Sequence, residues 1–183
     1  MKAVVVFESM YGNTREVAEH VAEGLRAMAV EVLVVPVRDA TADHVAAADL
    51  VVVGGPTHLH TLARPRTRES AVSQAEPHGL AVEPGAEGVG LREWFDAMPR
   101  TTRTAAAAFD TRVDVARLLA GQASKGIASR LDGHGFDVIA PPRSFLVDKR
   151  TQLLPDEDQH AVAWGKYLAG LVSRRPATSR ESA

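Results

Sequence analysis

Three short runs of β-branched and aliphatic residues constrain this chain most: Ala3-Val4-Val5-Val6-Phe7, Val30-Glu31-Val32-Leu33-Val34-Val35 and Leu50-Val51-Val52-Val53. The first and third are apolar without a break. A strand with one wet face alternates apolar and polar residues, whereas an unbroken run belongs to a strand buried on both faces, as in a parallel sheet. Helical patterns separate the runs. Val17, Val21, Leu25 and Met28 recur at spacings of four, four and three, one stripe of an amphipathic helix. A shorter Ala-rich pattern from Thr41 to Ala48 has Thr41 as its N-cap. Strand, helix, strand, helix, strand predicts a parallel sheet covered on both sides. Ligands of such a sheet bind at the carboxyl ends of its strands, where the strand order reverses.

The first turn carries the chemistry. Ser9-Met10-Tyr11-Gly12-Asn13-Thr14 joins the first strand to the first helix. Asn13 is placed to cap that helix, with Glu16 three residues on in the capping-box position. A short turn into a helix aims free N–H groups and the positive end of the helix dipole at one point. Ser9 and Thr14 add hydroxyls, and Gly12 lets a ligand approach the backbone. An anion is expected there, although an ordinary βα turn with a good cap has the same residues. Neither Gly-x-x-x-x-Gly-Lys-Ser/Thr nor Gly-x-Gly-x-x-Gly occurs. A cradle of hydroxyls and amides suits a phosphate monoester.

The third run ends in Gly54-Gly55-Pro56-Thr57-His58. Residues 60–90 lose periodicity, as expected of a loop over the ligand mouth, with a short helix at 68–73. Arg64, Arg66 and Arg68 in it either receive a phosphate, for instance on a nicotinamide dinucleotide, or pair with Glu69 and Glu76 in solvent. Leu91, Trp94, Phe95 and Met98 mark a compact helix at 90–98, with Trp94 read as core. Residues 102–109, with four successive alanines, are read as the fourth strand, against helix propensity, on the alternation of elements together with a family resemblance. A third loop follows from Asp110. Ser124 is expected to cap a helix containing Ile127 and Leu131 and closed by Gly133 and Gly135. Phe136-Asp137-Val138-Ile139 and Ser144-Phe145-Leu146-Val147 form a fifth strand interrupted at Pro141-Pro142. A last helix, after Pro155, buries Trp164, Leu168, Leu171 and Val172. One domain over 1–172 is expected, with 60–90 as an insertion and 173–183 a frayed polar tail.

Ser-Met-Tyr-Gly-Asn-Thr after a first strand resembles the FMN-phosphate loop of flavodoxins, Ser/Thr-x-Thr/Tyr-Gly-x-Thr. The resemblance implies a three-layer flavodoxin-like α/β fold, a doubly wound parallel five-stranded sheet of order 2-1-3-4-5. It implies that Ser9, Met10, Tyr11, Gly12, Asn13 and Thr14 hold the phosphate of non-covalent FMN. Pro56, Thr57, His58, Leu59 and His60 then flank one side of the isoalloxazine, and Phe109, Asp110, Thr111, Arg112 and Val113 the other. In this reading Arg112 lies near the N1–O2 edge; its rival place is a surface pair with Asp110 or Asp114. Typical members stack the ring between Trp and Tyr, where this chain has His58 and Val113. They often have Gly beside the flavin N5, where this chain has Leu59. The implied activity is electron transfer with a redox partner protein or a small donor and acceptor. The alternatives are an FMN-dependent NAD(P)H:quinone-type oxidoreductase and a scaffold for a non-flavin phosphate ligand.

Composition removes rivals. The 183 residues are 45% hydrophobic and 24% charged, with a net charge of −2. Such a balance implies neither nucleic acid nor a membrane surface as partner. Cysteine is absent, which excludes disulfides, thiolate catalysis and Cys-ligated metal centres. His58-x-His60 lacks a third ligand at sensible spacing, so no metal site is expected. With no Gly-x-Ser-x-Gly elbow, the usual α/β-hydrolase reading falls. A receiver domain needs an acidic cluster after its first strand, where only Glu8 stands. No apolar run spans a membrane and none resembles a signal peptide, so a cytoplasmic protein is expected.

Overall fold

The computed structural model describes residues 1–58, 61–63, 65–75, 80–101, 103–115, 121–148 and 150–175. Its strands are β1 (Lys2–Phe7), β2 (Glu31–Pro36), β3 (Leu50–His58), β4 (Thr61–Leu62), β5 (Ala105–Val113), β6 (Asp137–Val138) and β7 (Arg143–Val147). The helices are α1 (Asn13–Arg26), α2 (Ala42–Ala46), α3 (Pro65–Ala75), α4 (Leu91–Ala97), α5 (Ala123–Gly133) and α6 (Glu157–Ser173).

β2, β1, β3 and β5 lie side by side in parallel, and β6 and β7 both pair with β5. β6 meets Ala105 and Ala106 while β7 meets Phe109 to Val113, so the two are successive halves of one position. With β5 as the fourth position and β6 and β7 together as the fifth, the order is the expected 2-1-3-4-5. The prolines at 141 and 142 fall between the two halves. One strand is extra: β4 folds back antiparallel on the end of β3.

Alternate residues of the unbroken runs face opposite ways. Val5, Val52 and Ala107 join one core with α1 and α6, while Val4, Val51 and Ala106 join another with α4 and α5. The alanine strand leaves space that aromatic rings fill. Phe109, Phe145 and Trp164 pack edge to face at 5.9 to 6.1 Å between centroids. Phe109 also covers Gly54, where a Cβ would stand 2.0 Å from its ring. α1 and α6 touch backbone to backbone: a Cβ on Gly24 would stand 2.0 Å from the Val162 carbonyl oxygen, and one on Gly165 2.2 Å from that of Val21.

Four expectations need correction. β5 begins at Ala105 and runs on through Val113, so Asp110 to Val113 are strand, not loop. They are strand because β3 continues to pair as far as Pro56 opposite Thr111, and β7 pairs them on the other side. Asn13 does not cap α1; Gly12 stands at the cap with φ +96° and the Asn13 side chain donates to the Thr151 carbonyl. α5 starts one residue before Ser124, whose N–H is taken by the Asp110 carboxylate instead. The short helix expected at 68–73 within the 60–90 loop is longer, the eleven-residue α3, and β4 precedes it. Other local readings match: Thr41 caps α2 by accepting from His44 N–H, and Gly135 adopts φ +89° after α5.

Candidate functional site

Residues 9–14 stand at the carboxyl end of β1, beside the end of β3. The turn is well packed: Ser9, Met10 and Thr14 are buried, and Tyr11, Gly12 and Asn13 half-buried. Ser9 Oγ accepts from Gly12 N–H at 3.2 Å, which closes the turn. Among the described residues, the amides of Tyr11, Asn13 and Thr14 have no acceptor. The first N–H groups of a helix cannot find partners within it, and so they turn this point positive. Thr14 Oγ1 shares a 2.8 Å hydrogen bond with Thr111 Oγ1, which joins the turn to β5. A hollow of about 410 Å³ opens here, lined by Tyr11, Gly12, Asn13, Arg15 and Thr151 among others.

The two expected flanks lie next to this turn. Pro56, Thr57 and His58 end β3, and Leu59 and His60 fall outside the described residues. Thr57 Oγ1 accepts from Ala123 N–H at 3.0 Å, so its hydroxyl fixes the start of α5. Across from it, Phe109 turns its ring into the core and leaves only backbone toward the site. Asp110 is fully buried; one oxygen receives Ser124 N–H at 2.7 Å while the other has no partner among the described residues. Thr111 faces the turn as described, and Val113 is exposed. Among the described residues Arg112 forms no surface pair with Asp110 or Asp114. It is buried, and its guanidinium donates to the carbonyls of Val113 at 3.4 Å and Val115 at 3.1 Å rather than to a carboxylate.

Sequence reasoning missed the roof over the turn. Arg68, expected either to receive a phosphate or to pair in solvent, is 2% exposed and points inward. It donates to Glu93 at 3.2 Å and lies 4.0 Å from the buried Glu8. The other Glu8 oxygen accepts from Leu91 N–H at 2.8 Å. Burial pushes the Glu8 carboxyl up from its ordinary value. For Glu93 burial also works upward, but hydrogen bonds from its own N–H, Arg68 and Gly90 N–H outweigh it and hold the carboxyl below that value. One turn further along α3, the Ala71 carbonyl accepts from the Tyr11 hydroxyl at 2.8 Å. Partial burial of that phenol holds its proton more tightly than usual. Arg66 is exposed, and Arg64 lies outside the described residues. A charged residue at the end of an apolar strand was the one sequence signal for Glu8; nothing local pointed to its partner.

Residues 5–62 match the family model described as flavodoxin. Over nearly its whole length the chain also resembles solved structures. A flavodoxin from the domain Archaea is 22% identical with a TM-score of 0.64, over 94% of this chain and 99% of that one. Oxidised Flavodoxin 1 from Bacillus cereus is 20% identical with a TM-score of 0.66, over 96% and 100%. A flavodoxin, WrbA-like protein from Agrobacterium tumefaciens is 18% identical with a TM-score of 0.57, over 96% and 99%. No curated protein matches the chain. Among the described residues no helix is long and apolar enough to cross a membrane.

Proposed function

We propose that this chain, a flavodoxin-family protein by its residues 5–62 and flavodoxin-like throughout its fold, binds FMN without a covalent bond and transfers electrons through it. The observation that carries this reading is the turn at 9–14. The amides of Tyr11, Asn13 and Thr14, unpartnered among the described residues, the buried hydroxyls of Ser9 and Thr14, and Gly12 at φ +96° fit a phosphate monoester. Ser9, Met10, Tyr11, Gly12, Asn13 and Thr14 would hold that group; Pro56 to His60 and the backbone of Phe109 to Val113 would border the ring. When bound, FMN would accept a hydride or electrons at N5 and release them to a second substrate.

The chain's own part is anchoring and electrostatics. Thr111 keeps Thr14 in place, and Thr57 and Asp110 hold the start of α5 beside the site. Arg112 brings one buried cation to that side, which favours negative charge on a reduced ligand nearby. The partners would be a redox protein or a small-molecule donor and acceptor, in the cytoplasm, with residues 1–172 acting as one domain.

The test is reconstitution with FMN and with riboflavin, followed by absorption and fluorescence quenching. Flavin bands are expected with FMN preferred. Thr14→Val is expected to weaken FMN about tenfold, the scale of a hydrogen bond to a charged group, with riboflavin little changed. Equal losses for both flavins would mean that the turn holds no phosphate.

A further inference from the structure

The stretch after α3 returns across the turn at 9–14, and its backbone is pinned there. Glu83 N–H donates to the Met10 carbonyl at 2.9 Å. Ala86 N–H closes a turn onto the Glu83 carbonyl at 3.1 Å, Gly85 has φ +77°, and Arg38 donates to the Pro84 carbonyl. The Glu83 side chain is not pinned in the same way. It leans over Gly12, with Oε1 3.3 Å from where a Cβ would stand, and accepts from Arg15 Nε at 2.9 Å. A fifth of it is open to solvent, so it can rotate out while its backbone stays. Arg15 is half-exposed and borders two hollows, the one at Tyr11, Gly12 and Asn13 and another of about 190 Å³ at Ser9 and Arg38.

A carboxylate over the positive end of α1 is the chain's own anion at the place where the proposed ligand would bring one. The geometry points to Glu83 as an internal competitor of a phosphate monoester: its carboxylate leaves when the phosphate enters, and Arg15 passes from one anion to the other. Like charges a few ångströms apart disfavour one another, so both anions do not stay. A flavin without phosphate neither displaces Glu83 nor gains Arg15. The exchange thereby makes Arg15 a specificity determinant for phosphorylated ligands. It rests on the anion-binding reading of the turn but not on the flavin.

The test is calorimetric titration of the apoprotein with inorganic phosphate, FMN and riboflavin, for the parent, Glu83→Gln and Arg15→Gln. Glu83→Gln is expected to tighten phosphate and FMN about three- to fivefold, the range of a solvent-touching ion pair, with riboflavin unchanged. Arg15→Gln is expected to weaken the same two ligands by a similar factor. Both effects should shrink on the order of 0.5 M salt. Weaker or unchanged phosphate binding in Glu83→Gln would overturn the proposal, since a carboxylate that only braces the turn gives that result. Phosphate following the expected pattern while neither flavin binds would uphold the exchange and sink the flavin reading alone.

Discussion

Glu8 ends an apolar strand inside the protein, and its surroundings explain both its charge and its cost. Burial works against the ionised form, while Leu91 N–H and Arg68 work for it, and burial prevails. A carboxyl with a raised value binds its proton more readily folded than unfolded, so its contribution to stability falls as pH rises. The contribution is complete below the ordinary value of 4.5 and is lost as pH rises through the higher folded one. Glu93 has the opposite sign, its contribution present above the ordinary value and lost on acidification. Glu8→Gln is therefore expected to gain on the parent as pH rises from about 4, whatever its offset at low pH. Urea unfolding from pH 4 to 8 checks this, and a constant difference would show that Glu8 does not titrate in that window. Beside it, Gly90→Ala has no room: a Cβ would stand 2.3 Å from an Arg68 nitrogen and 2.9 Å from a Glu8 oxygen. A loss of about 1–3 kcal/mol is expected, since both neighbours are themselves fixed.

Among the elements, α1 and α6 depend on each other most directly. Their crossing is close enough that carbonyl oxygens fill the places where side chains would begin. Gly165→Ala is expected to destabilise by about 1–3 kcal/mol or more through overpacking. Gly170, in the same helix, has open space within 4 Å of a Cβ. Gly170→Ala should therefore be neutral or stabilise by up to about 1 kcal/mol, the helix-propensity gain alone. Chemical denaturation of the pair separates contact from propensity, and equal effects would refute the crossing. β5 shows the converse of this crowding. Four alanines make a strand here because β3 pairs all four, β6 pairs Ala105 and Ala106 on the other side, and three aromatic rings complete the packing. No local preference of Ala105 to Ala108 contains that information.

Across the molecule, what was legible in the sequence is what near neighbours decide. The parallel sheet covered on both sides followed from unbroken Val runs and helical spacing, its strand order from the family resemblance, and the turn at 9–14 from six consecutive residues. The misses have distant partners. Asn13 leaves its capping role for a carbonyl at Thr151, and Arg68 finds its carboxylates at Glu8 and Glu93. The boundary of β5 was missed because β3 and β7, far away in the chain, extend it. At the candidate site the turn at 9–14 was legible; Glu83 was not, since only the fold of 80–90 carries it there. Leu59 and His60 lie outside the described residues.

The contact between α1 and α6 also sets an order of events during synthesis. α1, which opens at the turn at 9–14, is made before α6, which shares a core with its apolar face. Until α6 has emerged from the ribosome, Val17, Val21 and Leu25 lack part of their cover, and long-range pairings of this kind form late. The turn thus gains the support of that core only once α6 has been made. A nascent chain stalled before Glu157 would present the residues 9–14 without the packing behind them.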